Sequence, residues 1–189
     1  MTEQVFIVPY DKTTDIPHGF NKQKHCPIWN KYNDIGIYVD KDVAENTPAM
    51  QQIIPYVILR SDKGNYYAAI LQKEDNKIIS IGFGNHIEPC DGITQPLFKG
   101  TVRTLFEEIS LEQYNKLTYV GTVRDMGDDN KHLGYVFLIQ DIEEDSISLQ
   151  NKTDTYYGEW LSLGDLINSY SKMTCWSKHI VNYLVGNTV

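Results

Sequence analysis

The sequence predicts an α/β chain of the α+β kind, a mixed sheet with helices packed on it. Three observations carry this. Residues 52–59 (QIIPYVIL), a turn at 61–65 (SDKGN) and a second apolar run at 66–72 read as a hairpin. Residues 96–114 place apolar side chains at helical spacing. Further strand-like runs and a second helical stretch follow, so the order is strands, helix, strands, helix.

Taken in order, residues 5–8 (VFIV) form a short strand ending at Pro9. Residues 10–34, with Pro17, Gly19 and Pro27, read as a long irregular excursion of the length that is often functional or disordered. Residues 35–39 are a second extended piece. In the run 52–59, Pro55 points to an edge position or a bulge, because proline cannot donate to a ladder. Residues 78–83 feed a glycine turn. In the helix predicted over 96–114, Phe98, Val102, Leu105, Phe106 and Ile109 form the inward stripe, and Thr104, Glu107 and Glu108 lie on the opposite face. Residues 117–123 and 134–140 are strands separated by a turn at 125–130, and 146–149 a further edge strand. Residues 163–185 are helical with a break near Thr174.

Composition bounds the function. With 189 residues, 41% of them hydrophobic, the chain is large enough for one domain with a substantial core, read here as residues 1–189 with 1–50 as an N-terminal extension. No apolar run of about 18 residues marks a membrane span, and the start of the chain lacks the basic and apolar stretches of a signal peptide. Cys26, Cys90 and Cys175 form no CxxC pair, which argues against structural zinc and a disulfide framework and fits a reducing, cytoplasmic location. A net charge of −8 argues against broad nucleic-acid binding. A phosphate ligand would then need a cation to bridge it to an acidic site. A homodimer is left open.

The stretch with most chemistry is Gly82-Phe83-Gly84-Asn85-His86-Ile87-Glu88, followed by Arg103 and the adjacent Glu107 and Glu108. A bare pair of glutamates is most simply a solvated helix face. Here the helix follows a glycine turn where backbone can approach a ligand, and Arg103 stands four residues before Glu107, within ion-pair reach. Magnesium is held by one or two carboxylates together with substrate phosphates and waters, so the pair suits Mg2+ or Mn2+. His86, next to the turn, could contact a phosphate oxygen as donor, and His132 precedes a strand. His18, His25 and His179 belong to no constellation, and the many tyrosines read as core or surface filler.

This pattern resembles the signature box of the Nudix hydrolases, which runs glycine, five residues, glutamate, seven residues, then Arg-Glu-apolar-x-Glu-Glu-x-Gly-apolar. Arg103, Leu105, Glu107, Glu108 and Leu111 match its second half, and Gly84 to Glu88 its glycine-rich first half. Residues 52–57 (QIIPYV), 80–87 (SIGFGNHI), 132–137 (HLGYVF) and Trp176-Ser177 are similar to a bacterial branch of Nudix phosphoesterases, so the resemblance spans about residues 5 to 180. It implies a Nudix-like α/β/α sandwich and hydrolysis of a diphosphate linkage in a nucleoside diphosphate derivative or related phosphoester, with Mg2+ or Mn2+. It implies Glu107, Glu108 and the Gly84 carbonyl as metal ligands, and Arg103 orienting one of the glutamates. Gly84, Asn85, His86 and His132 would contact a small nucleotide or diphosphate substrate. Glu107, Glu88 and Asp91 compete for the role of base.

The sequence departs from the box at several positions. Asn85 replaces a glycine, and Asp91 stands where the first glutamate belongs. Eleven residues rather than seven lead from Asp91 to Arg103, Thr104 replaces the glutamate after the arginine, and Ser110 replaces the last glycine. A hydroxyl cannot supply a carboxylate's charge, so metal affinity should fall. Glu88, Asp91, Asp125, Asp128 and Asp129 are candidate replacements, although aspartates in such runs also simply make turns. Two readings follow: a hydrolase, and a catalytically impaired Nudix-like domain that binds a nucleotide as a sensor or interaction module.

Overall fold

A computed structural model describes residues 2–23, 34–74, 76–111, 113–125 and 131–186; His25, Cys26, Asp128 and Asp129 lie outside the described residues. Its strands are β1 (Gln4–Pro9), β2 (Gly19–Lys22), β3 (Ile37–Asp40), β4 (Met50–Ser61), β5 (Tyr66–Lys73), β6 (Asn76–Ser80), β7 (Gly82–Gly84), β8 (Leu117–Arg124), β9 (His132–Ile142) and β10 (Tyr156–Leu161). The helices are α1 (Lys41–Glu45), α2 (Pro96–Glu108), α3 (Leu163–Asn168) and α4 (Cys175–Gly186). The strands run β10-β5-β4-β9-β8-β2, with β4 and β9 parallel and the other neighbours antiparallel. The fold is thus an α+β mixed sheet between helical layers.

The long strand β4 organises both cores. Its Ile53, Val57 and Leu59 enter one apolar cluster with Leu97 and Leu105 of α2. Its Tyr56 and Ile58 enter the other, with Leu166 of α3 and Ile180 and Val181 of α4. Burial on both faces explains why its sequence is continuously apolar rather than alternating. Pro55 is therefore in a central strand, not at an edge. One side of β4 pairs with β9 throughout. On the other side, β1 pairs as far as Gln52 and β7 begins at Tyr56, so Pro55 falls in the interval where no ladder partner needs its missing N–H.

The N-terminal region joins the same sheet: β1 pairs with β3 and β4, and β2 pairs with β8. The stretch read as an irregular excursion thus contains a strand at its described start. The last helical region does break, giving α3 and α4 on either side of a short turn at residues 170–172.

Helix α2 differs from the sequence expectation in rotation and length. Leu105 and Ile109 are buried, but Phe98, Val102 and Phe106 are exposed, Phe106 at 64%. The buried stripe is Leu97, Gly100, Thr101, Thr104 and Leu105, positions that share a face at helical spacing. Thr104 is therefore inside at 0% exposure, not on the outer face. Small residues on this stripe let the helix sit close to its neighbours: a Cβ at Gly100 would lie 3.2 Å from Asp91 Oδ2. The helix stops at Glu108 because the following segment turns extended. There Ser110 N donates to Ser148 O (2.9 Å) and Gln150 N to Glu108 O (3.1 Å). The edge strand expected at residues 146–149 is thus reduced to a single antiparallel bridge between Leu149 and Ile109.

The four sequence pieces that carry the family resemblance meet around Tyr56. Its buried hydroxyl lies 3.1 Å from Ser80 Oγ and 3.3 Å from Ser177 Oγ, and Ser177 Oγ in turn accepts a hydrogen bond from Ile81 N at 3.0 Å. The Trp176 ring meets Tyr56 edge-on at 5.2 Å. Glycine is required at two places here. A Cβ at Gly82 would run into the Tyr56 ring, and one at Gly134 would lie 2.8 Å from the Trp176 ring. These pieces hold the sheet to α4, and burial raises the Tyr56 phenol above its usual range. Among the described residues, no helix is long and apolar enough to cross a membrane.

Candidate functional site

The connection from β7 to α2 is pinned by one side chain. Arg103 donates from Nε to Asp91 Oδ1 and from Nη2 to Asp91 Oδ2, both at 3.0 Å, a bidentate pair. Its Nη2 also donates to the His86 carbonyl at 2.6 Å, and Nη1 reaches Glu107 Oε2 at 2.8 Å and Glu88 Oε1 at 3.0 Å. Burial works against the guanidinium charge, but the Asp91 bonds and the Glu107 and Glu88 carboxylates outweigh it and hold Arg103 charged. Asp91, 3% exposed, also accepts from Glu88 N at 2.9 Å. With both oxygens engaged, Asp91 is a structural anchor of the loop and not free to act as a base. Cys90 beside it is an exposed free thiol.

The two helix glutamates diverge. Glu107 lies on the Arg103 flank with its side chain 45% exposed. Glu108 extends the buried stripe of α2, one turn beyond Thr104. Glu108 lines a cavity of about 210 Å3 with Gly84, Gly82, Phe83, Ser80 and Tyr156. Burial, and then the neighbouring Glu107 charge, push the Glu108 carboxyl above the usual range, and burial and Glu108 raise the Tyr156 phenol. The structure therefore brings Glu108 to the same cavity as Gly84. One helical turn before Glu108, the Thr104 hydroxyl is buried with no hydrogen-bond partner. Glu108 is the acidic residue among those lining this cavity, and among the described residues no group of three or more His, Cys, Asp or Glu side chains is clustered to hold a metal ion.

The other predicted residues lie around this cavity or away from it. The Asn85 side chain accepts from His86 N at 2.8 Å, shaping the turn after β7. His86 is not part of the cavity wall. Its Nδ1 is 3.7 Å from Glu3 Oε1, and its ring centre is 6.0 Å from that of His132. Burial, with Lys41 and His132 nearby, lowers the His86 pKa, so the ring is neutral at pH 7. Asp125 faces His179 Nε2 at 3.7 Å and hydrogen-bonds Cys175, away from the Glu108 cavity. Sequence reasoning missed Tyr156, because the mixed aromatic and polar stretch of β10 does not alternate cleanly.

Solved structures share this architecture. Tm1382, a candidate Nudix hydrolase, superposes with a TM-score of 0.82 at 23% identity, covering 97% of this chain and 99% of its own. DR0079 from Deinococcus radiodurans gives a TM-score of 0.57 at 13% identity, covering 96% of this chain and 98% of its own. No family profile matches the sequence, and no curated protein sequence matches it. The chain has the Nudix fold.

Proposed function

We propose that the chain hydrolyses a diphosphate linkage in a nucleoside diphosphate derivative or related phosphoester, using Mg2+ or Mn2+. The observation that carries this reading is the carboxyl of Glu108, held above its normal pKa on the wall of a cavity shared with Gly84. A cation beside Glu108 would favour its ionised form. The available donors are hard oxygens, which fit magnesium or manganese. Glu108 and the Gly84 carbonyl would hold the metal at the cavity, and Glu107 would join them by leaving its Arg103 bond; when bound, the metal would neutralise phosphate charge and lower the pKa of a coordinated water.

The chain's own residues supply the positioning. Arg103 holds Glu107 by a charge-assisted bond and fixes the turn through the His86 carbonyl and Asp91. Asn85 holds the backbone of that turn. Glu107 and Glu88 remain the candidates for taking a proton from water, since both have exposed carboxylates on the Arg103 cluster. We assign Gly84 and Asn85 to contact with the substrate phosphates, and neutral His86 with His132 to more distant parts of the substrate. The whole chain acts as one domain, with residues 1–50 an extension that completes the sheet.

A second reading has its own observation. The buried, uncharged Thr104 beside Glu108 removes a carboxylate from the box, which favours a domain that binds a nucleotide without cleaving it. Cleavage of a panel of nucleoside diphosphate derivatives to a nucleoside monophosphate and a second phosphomonoester separates the two. Turnover dependent on Mg2+ or Mn2+ supports the hydrolase; saturable binding of a panel member without turnover supports the binding domain.

A further inference from the structure

A second cavity, of about 230 Å3, lies on the α4 side of the sheet, whereas α2 packs against the other side. Ile58 and Leu138 are among its sheet residues, and Ile180 and Tyr183 face it from α4. Its volume is below the roughly 300 Å3 at which sites for drug-sized ligands begin, so a fitting occupant is small.

Two cations, Lys22 and Arg60, line this apolar cavity. Lys41, Lys63 and Arg103 are paired with carboxylates, whereas Lys77 and Lys178 rest on tyrosine rings. Lys22 and Arg60 also rest on aromatic faces: Lys22 Nζ is 5.5 Å from the Tyr183 ring centre, and the Arg60 guanidinium carbon is 6.0 Å from that of Tyr66. Arg60 Nε is buried and has no hydrogen-bond partner. In a chain of net charge −8, this lining holds two cations and no acidic residue. The complementary ligand has an apolar body and one anionic head able to accept hydrogen bonds from a guanidinium and an ammonium.

We propose that this cavity binds a small amphiphilic carboxylate, with its alkyl chain against Ile58, Leu138 and Ile180 and its carboxylate met by Lys22 and Arg60. The site is separate from the Glu108 cavity and stands whether or not the chain is a hydrolase.

Octanoate is a suitable probe and 1-octanol its uncharged counterpart. Calorimetric titration of the full chain should show octanoate binding at least tenfold more tightly than 1-octanol. The Lys22→Ala, Arg60→Ala double variant, with melting unchanged, should weaken octanoate at least tenfold. Leu138→Trp, which fills the cavity, should abolish binding. If that variant does not fold, the two-cation variant still decides. The Glu107→Gln, Glu108→Gln variant should bind octanoate as the wild type does. Equal affinity for octanoate and octanol, no octanoate binding at all, an unchanged two-cation variant, or loss of binding in the glutamate variant would each overturn the proposal.

Discussion

Replacing Arg103 with Ala removes the side-chain bonds from α2 to His86, Glu88 and Asp91 of the β7–α2 connection. The cost is not spread evenly over its partners. Glu88 and Glu107 are 34% and 45% exposed, and ion pairs of that kind contribute about 0–1 kcal/mol each. Asp91 is 3% exposed, and losing its bidentate partner strands a buried carboxylate, which typically costs about 3–5 kcal/mol. For a chain of 189 residues, at roughly 2–4 °C per kcal/mol, the melting temperature should fall by about 6–20 °C. Urea unfolding of wild type, Arg103→Ala, Asp91→Asn and the double variant would measure this as a coupling energy. Arg103→Lys should recover only part of the loss, because an ammonium cannot reproduce the two-pronged bond. Loss of less than about 1 kcal/mol in Arg103→Ala, or the same loss in Glu107→Gln, would refute the assignment of the energy to the buried Asp91 pair.

Three further outcomes follow from the same geometry. Leu105→Ala should destabilise by about 2–5 kcal/mol and Phe106→Ala by no more than about 0.5 kcal/mol, read by urea unfolding; the reverse order would return α2 to the rotation expected from its apolar spacing. Because Glu108 has a raised folded-state pKa, the folded protein holds its proton more tightly than the unfolded chain. Stability from this group is thus fullest below the unfolded carboxylate pKa and is lost as pH rises through the folded one. Glu108→Gln should flatten that slope and stabilise the metal-free protein at pH 7; an unchanged pH–stability curve would remove the burial argument. Thr104→Glu should lower the melting temperature of the metal-free protein, since it forces a carboxylate into a fully buried position, and Mg2+ should restore part of the loss if the new group faces the Glu108 cavity. A drop that Mg2+ leaves untouched would place position 104 outside the metal's reach.

How far the sequence could be read depended on whether a feature was local. The β4–β5 hairpin was legible because its apolar runs and the turn between them are contiguous. The divide between α3 and α4 was legible for the same reason. The rotation of α2 was not, because Phe98, Val102 and Phe106 make a stronger apolar pattern than Leu97, Gly100, Thr101 and Thr104. What turns the helix is the Asp91–Arg103 pair and the fit of small residues, both of which need tertiary structure to see. At the candidate site, Gly84, Glu107 and Glu108 were visible as a motif. That Glu107 turns toward Arg103 while Glu108 enters a cavity with Tyr156 was not, since β10 reaches that cavity from nearly fifty residues further along the chain.

The most direct test of the central claim is formation of nucleoside monophosphate from nucleoside diphosphate derivatives, measured for the wild type and the Glu107→Gln, Glu108→Gln variant with and without Mg2+ or Mn2+. The account predicts metal-dependent turnover by the wild type on at least one member of the panel, and its loss in the variant while the melting temperature is held. Turnover that persists in the variant, or that ignores the metal, would contradict it.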